Sequence, residues 1–265
     1  MALYARSMTS RRTTQLIAPS DPIPDGALFV EARFSSPEGG AVPLIADAVV
    51  ATLDNGVLAA APQPGSGRFP LPAREDTRAT LSSWGADRDT PIVVYATTPD
   101  DAKTAARAWF VFRDAGFNDV RVLDGGIAGW RARQSTAAAA GLPQVSDAPL
   151  TEIDANRAAE VGASGILLDA RPVSAYKEGR IPGALSAPGN EVFRDGYLLP
   201  EEELRAWAAG FIPDDAGDAP VAAYCGGGVA AAGTVFALST LGIDAGLYVG
   251  SWSQWSRDNA RPVER

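Results

Sequence analysis

The chain is written twice. In the first half, Asp89-Thr-Pro-Ile-Val-Val-Tyr-Ala96 leads into a helical stretch, Ala102 to Ala115, then Gly116, then Val120-Arg-Val-Leu-Asp-Gly125 and Trp130. In the second half, Asp218-Ala-Pro-Val-Ala-Ala-Tyr-Cys225 leads into a helical stretch, about Val229 to Leu241, then Gly242, then Ala245-Gly-Leu-Tyr-Val-Gly250 and Trp255. Both Gly-to-Trp steps, Gly125 to Trp130 and Gly250 to Trp255, span five residues. The front ends match as well: Leu28-Phe-Val-Glu-Ala-Arg33 corresponds to Leu167-Leu-Asp-Ala-Arg171, one residue shorter. Self-similarity of this kind means two copies of one supersecondary unit, so the fold must be one that half the chain can complete.

Each copy reads strand, irregular connection, helix, strand, helix, strand, then a Trp-bearing turn. Short Val/Ile/Leu runs between amphipathic helices predict parallel strands covered on both faces. Gly116 and Gly242 fall just past the helices, where a left-handed cap is wanted. The prediction is α/β: two tandem domains, each a parallel sheet flanked by helices, spanning 1–133 and 151–265. The linker is 134–150, with four consecutive alanines and two prolines. The first residues are expected to form a disordered leader, and Thr151 is expected to cap a helix through Arg157.

Composition removes whole classes of chemistry. The 265 residues carry 23 Lys and Arg against 32 Asp and Glu, a formal charge of −9. That disfavours nucleic acid and anionic membrane surfaces, which need clustered cations. There is no histidine, which removes the commonest general base and metal ligand. With one cysteine and no histidine, neither a zinc site nor an internal disulfide is expected. No cofactor motif is present, and the oligomeric state stays open, since the two halves can satisfy each other's interface. No signal-peptide core or run of ~20 apolar residues occurs, so a soluble, cytoplasmic protein is expected. Only Lys103 and Lys177 are lysines, so nearly all positive charge is arginine, the better ligand for planar anions.

The lone cysteine, Cys225, stands between an apolar run and Gly226-Gly227-Gly228. A lone cysteine behind a strand is commonly a small buried hydrophobe. Here a strand ending at Tyr224 delivers it to the C-terminal edge of a parallel sheet, where α/β proteins bind ligands. Side-chain-free glycines can curl their N–H groups toward one point, and the helix that follows adds its own unpaired N–H groups. Such a cradle keeps a thiolate available without histidine, and holds an anionic group attached to it. The Gly-x-x-x-x-Gly-Lys-Ser/Thr phosphate loop is absent.

The ordered set Asp169-Ala-Arg171, Ile181-Pro-Gly-Ala184, Tyr224-Cys-Gly-Gly-Gly-Val229 and Gly250-Ser-Trp-Ser-Gln-Trp255 resembles a tandem-domain rhodanese, the sulfurtransferase family. Phe69-Pro-Leu-Pro72 and Leu123-Asp-Gly-Gly-Ile-Ala-Gly-Trp130 extend the resemblance through the first half. It implies a thiosulfate or 3-mercaptopyruvate sulfurtransferase. Cys225 would take a sulfur from a small anionic donor as a persulfide, then pass it to cyanide or a small thiol. The substrate loop would comprise Gly226, Gly227, Gly228, Val229 and Ala230, and the first domain, with Ala96 at the cysteine position, would be non-catalytic. Arg171 matches an anion-binding arginine of the family; its alternative is a structural ion pair with Asp169. Asp169 and Trp252 would support the site, Trp252 either walling the pocket or packing in the core. Trp130 and Trp255 are expected as core anchors, and Arg33 and Phe34 as groups closing the pocket across the interface.

The resemblance has departures. Gly227 stands where Ser is usual and Ala230 where Thr is usual in mercaptopyruvate-type loops. Arg180 replaces the histidine of His-Ile-Pro-Gly-Ala, and the first half keeps only Ile45-Ala-Asp-Ala48. A binding or regulatory module built on a catalytically weak rhodanese domain is the alternative expectation. A phosphatase is disfavoured, because no arginine follows Cys225 up to Ala231.

Overall fold

Two five-stranded parallel sheets follow from the two copies. The structure, a computed structural model, describes residues 10–37, 39–40, 42–133, 150–213 and 215–265. The first sheet holds β1 (Leu16–Ile17), β2 (Leu28–Arg33), β3 (Val49–Thr52), β4 (Ile92–Ala96) and β5 (Val120–Leu123), in lateral order β1-β5-β4-β2-β3. The second copy contributes β6 (Thr151–Ile153), β7 (Ile166–Asp169) and β8 (Leu185–Ser186). An antiparallel ribbon follows, β9 (Phe193–Arg194) with β10 (Tyr197–Leu198), and then β11 (Val221–Tyr224) and β12 (Ala245–Tyr248). Its sheet runs β6-β12-β11-β7-β8. Counted within each half, both orders are 1-5-4-2-3, so the duplication seen in sequence is a duplication of topology.

The helices are α1 (Arg12–Gln15), α2 (Arg74–Ser83), α3 (Ala102–Asp114), α4 (Gly126–Ala132), α5 (Ala155–Ser164), α6 (Val173–Glu178), α7 (Glu201–Ala209), α8 (Val229–Thr240) and α9 (Ser251–Trp255). The two long ones, α3 and α8, pack against each other between the halves. α8 is apolar all round because every side of it is covered. Trp109 of α3 meets Phe236 of α8 edge to face at 5.0 Å. Such a pair adds roughly 0.5–1.5 kcal/mol beyond its buried area.

Strand alternation decides which residues face this interface. One apolar cluster runs through both halves and takes Val94 and Ala96 from β4, and Ala223 and Cys225 from β11 and its end. The intervening residues point to the opposite faces, Val93 and Tyr95 in one outer cluster, Ala222 and Tyr224 in the other. Successive side chains of a strand point to opposite faces, so Cys225 is turned toward the first half and Tyr224 away from it.

Several local expectations are corrected. Thr151 opens a strand instead of capping a helix, because β6 pairs with β12; the cap is Asp154, whose carboxylate accepts the Arg157 N–H at 2.8 Å. The Trp-bearing turns are the short helices α4 and α9; Trp255 is buried, and Trp130 is half-buried against Phe29. Gly116 and Gly242 do take left-handed caps, with φ of 92° and 84°. The leader lies outside the described residues up to Thr9. From there the chain runs along the second half before joining the first sheet: the Arg11 N–H donates to Thr240 O at 2.8 Å, and Gln15 to Ser239 Oγ at 2.9 Å. The linker, apart from Leu150, also lies outside the described residues.

Candidate active site

Cys225 leaves β11 and enters a loop that ends at Gly228, where α8 begins. Gly228 has φ of 83°, a left-handed conformation that glycine adopts without a Cβ penalty. This turn aims its N–H back at the cysteine: the Gly228 N–H donates to Cys225 Sγ at 3.1 Å. The first-turn N–H groups of α8 lack intrahelical partners and add positive potential at the same place. Cys225 is 5% exposed. The loop and first turn after the cysteine, Gly226, Gly227, Gly228, Val229 and Ala230, bring no charged or hydroxyl side chain, and the contact made to the sulfur is the Gly228 N–H.

The loop is fastened from its other side by α9. The Trp252 N–H donates to Cys225 O at 2.9 Å and the Ser253 N–H to Gly226 O at 3.1 Å. Ser251 Oγ accepts the Cys225 N–H at 3.2 Å and donates to Tyr248 O at 2.8 Å. Ser251 is buried with φ of 54°, uncommon outside glycine and a cost of order 1–3 kcal/mol. The two hydrogen bonds hold it there. Sequence reasoning quoted this motif but assigned Ser251 and Ser253 no role.

The first half covers the loop. Gly67 lies directly on Gly250, and the Arg68 N–H donates to Ser253 Oγ at 2.8 Å. A side chain begun at Gly226 would lie 3.8 Å from the Arg68 guanidinium, and one at Gly227 would lie 3.0 Å from the Phe69 ring. Phe34 packs edge to face on Phe69 at 5.6 Å, so it borders the loop from the first half. Arg33, expected beside it, instead pairs with Glu31 at 2.5 Å. Arg68 and Arg107 were missed by sequence reasoning; their only signal was arginine in a histidine-free chain that must meet an anion.

Arg171 and Asp169 lie on the outer face of the sheet, beneath Tyr224. Arg171 Nε donates to both Asp169 oxygens at 2.9 and 3.0 Å, and Nη2 donates to Asp169 Oδ2 and Gly179 O, each at 2.6 Å. Trp252 stacks over this guanidinium at 4.4 Å. Of the two expectations for Arg171, the geometry is that of the structural ion pair, and Trp252 packs on it. Asp169 also accepts the Tyr224 hydroxyl at 2.6 Å, and that hydroxyl accepts the Ile181 N–H at 3.1 Å. Burial, then the Asp169 charge, push the Tyr224 hydroxyl well above its ordinary pKa. Arg180 binds the Glu264 carboxylate and anchors the C-terminal stretch.

The matching position in the first half is closed. Ala96 leads into Thr97-Thr98-Pro99-Asp100-Asp101, where Asp101 accepts both threonine hydroxyls at 2.9 and 2.8 Å. Carboxylates there repel an anion. Phe193 and Leu198 of the β9–β10 ribbon leave a cavity of about 10 Å³ beside Ala96, less than a ligand needs. Among the described residues no cluster of His, Cys, Asp or Glu could hold a metal, and no helix is long and apolar enough to cross a membrane.

Comparisons with known proteins agree with this architecture. The rhodanese-like domain matches residues 41–133 and 151–258. SseB of Mycobacterium tuberculosis, provisionally named a thiosulfate sulfurtransferase, is 36% identical over 97% of this chain and 96% of its own. The 3-mercaptopyruvate sulfurtransferase of Escherichia coli is 32% identical over 73% of this chain and 75% of its own. The crystal structure of SseA from Escherichia coli, described as a 3-mercaptopyruvate sulfotransferase with the rhodanese fold, superposes with a TM-score of 0.65. It is 27% identical and covers 86% of this chain and 93% of that one. The wild-type structure of EanB, at 23% identity and a TM-score of 0.68, shares the fold over 95% of this chain and 69% of its own.

Proposed function

The chain belongs to the rhodanese-like domain family, and we propose that it is a sulfurtransferase that carries a sulfane sulfur on Cys225. The donor is thiosulfate or 3-mercaptopyruvate, and the acceptor is cyanide or a small thiol. The Cys225 thiolate attacks the outer sulfur of the donor. The S–S bond of thiosulfate breaks with its electron pair leaving on sulfite; with 3-mercaptopyruvate the C–S bond breaks and pyruvate leaves after protonation. The acceptor then attacks the outer sulfur of the persulfide, and the pair returns to Cys225 as thiolate.

The observation that carries this reading is the Gly228 N–H donated to Cys225 Sγ at the N-terminus of α8. Backbone N–H groups at a helix N-terminus are suited to hold an anionic group attached to the sulfur. Arg68 supports an anionic donor: it is exposed, borders Gly226, and stacks at 5.8 Å on Phe69. Arg171 is already engaged with Asp169 and Gly179, so Arg68 takes the donor-facing role expected of Arg171.

Intact mass after incubation with each donor tests the proposal. A gain of one sulfur, absent in Cys225→Ser and reversed by cyanide with release of thiocyanate, is the expected result. No adduct and no thiocyanate with either donor would leave the protein as a binding module built on the same domain.

A further inference from the structure

We infer that Arg107, on the first half's α3, is the fixed positive charge that completes the anion cradle of Cys225, acting through the loop residue Gly228. The inference builds on the sulfurtransferase reading and assigns the cysteine-free half a part in the chemistry.

Arg107 is fully buried, with no exposed surface. Its Nε donates to Leu58 O at 3.1 Å and its Nη2 to Phe69 O at 2.9 Å. Nη1 is also buried and has no hydrogen-bond partner among the described residues. A side chain begun at Gly228 would lie 3.3 Å from that nitrogen. Nη1 therefore abuts the residue whose own N–H is donated to the cysteine sulfur.

Among the described residues no carboxylate lies within ion-pair distance of Arg107. A buried cation without a counter-charge is costly, and folds rarely carry one without an anion nearby. Burial lowers the guanidinium to about 10, and the negative groups that partly offset this are Cys225 and then Glu152. The anion that matches it is the sulfur, as thiolate or as persulfide. The loop offers no charged or hydroxylated side chain of its own from Gly226 to Ala230, so this charge has to arrive from outside the second half. It arrives on α3, which is locked to α8 by the Trp109–Phe236 contact. Cys225 is turned to that side by strand alternation.

The other groups around the sulfur are accounted for. Arg68 borders Gly226, Ser251 Oγ holds the Cys225 N–H, and the Arg171–Asp169 pair lies on the opposite face under Tyr224. Of these, Arg107 alone is both buried and left with an unpaired donor at the loop.

The test is the pH profile of Cys225 alkylation by iodoacetamide, which needs no sulfurtransferase activity and so stands apart from the donor assays. In Arg107→Gln the profile is expected to move to higher pH by about one unit or more at an unchanged plateau, a loss of about tenfold at neutral pH. Arg107→Lys should recover much of that loss. Overlapping profiles for wild type and Arg107→Gln would overturn the inference, as would equal shifts in the Lys and Gln variants. Should Arg107→Gln fail to fold, the arginine nitrogen resonances of the wild-type chain decide. Those of Arg107 should follow Cys225 ionisation and stop responding once Cys225 is carbamidomethylated. Resonances indifferent to both would equally overturn it.

Discussion

Tyr224 donates its hydroxyl to Asp169 at 2.6 Å, and Tyr95 donates to Glu31 at 2.7 Å in the same place in the other half. Each tyrosine is cross-strand partner to its carboxylate, and each hydroxyl accepts the N–H of an isoleucine, Ile181 or Ile45. This buried lock lies on the strand carrying Cys225, one residue before it and on the opposite face. Tyr224→Phe should cost about 1–3 kcal/mol, a fall in Tm of roughly 2–4 °C per kcal/mol, with sulfur loading on Cys225 retained. Thermal unfolding and intact mass measure the two.

The Asp169–Arg171 pair belongs to the same lock. Asp169→Asn leaves a largely buried guanidinium without its counter-charge and should cost about 3–5 kcal/mol. The double variant Asp169→Asn, Arg171→Met removes both charges and should be less destabilised than the sum of the single changes. Strict additivity in chemical denaturation would contradict a coupled pair.

Restoring the missing cysteine should not restore chemistry. Ala96→Cys in a Cys225→Ser background should gain no sulfur from thiosulfate or 3-mercaptopyruvate. Its loop carries Thr97-Thr98-Pro99 where the second half has three glycines, with Asp100 and Asp101 at the positions of Val229 and Ala230, and the β9–β10 ribbon fills the space beside it. A one-sulfur adduct by intact mass would show that position to be competent.

Gly67 lies against Gly250, at the start of the turn that supports Cys225. A methyl there would overlap the Gly250 carbonyl, backbone against backbone, so Gly67→Ala must push the halves apart locally. A destabilisation of about 1–3 kcal/mol is expected, with a fall in kcat from the displaced Ser253–Arg68 contact. Wild-type turnover and Tm together would refute the tight docking.

Asp124 links stability to pH across the interface. Its carboxylate accepts the Leu198 N–H at 2.8 Å, yet burial holds its pKa above the ordinary 3.8. With the folded value above the unfolded one, the folded state binds the proton more readily, so the burial penalty applies above the folded pKa and is relieved as pH falls through it. The stability difference between wild type and Asp124→Asn should therefore move in favour of wild type on acidification toward 3.8, measured by denaturation at stepped pH.

Much of the fold was legible because its signals are local. The apolar runs Ile92–Ala96 and Val221–Tyr224, the helices after them and the glycines closing them all announce themselves within a few turns of chain. Cys225 and its glycines were legible for the same reason. The helix cap was misread because Thr151 and Asp154 both suit a cap, and only pairing of β6 with β12 makes Thr151 a strand residue. Arg171 was ambiguous because its fate rests on Gly179 O and Tyr224, which no local pattern ties to it.

The sequence by itself determined that this protein is a duplicated α/β chain with one cysteine at a strand end, because periodicity, glycine conformation and cysteine count are properties of short stretches. Only the tertiary structure decided what surrounds that cysteine. Arg68 reaches Ser253 across 185 positions, and Arg107 meets Gly228 only because α3 packs on α8. Contacts between segments so distant depend on packing of the two halves, and chain order carries no record of that distance.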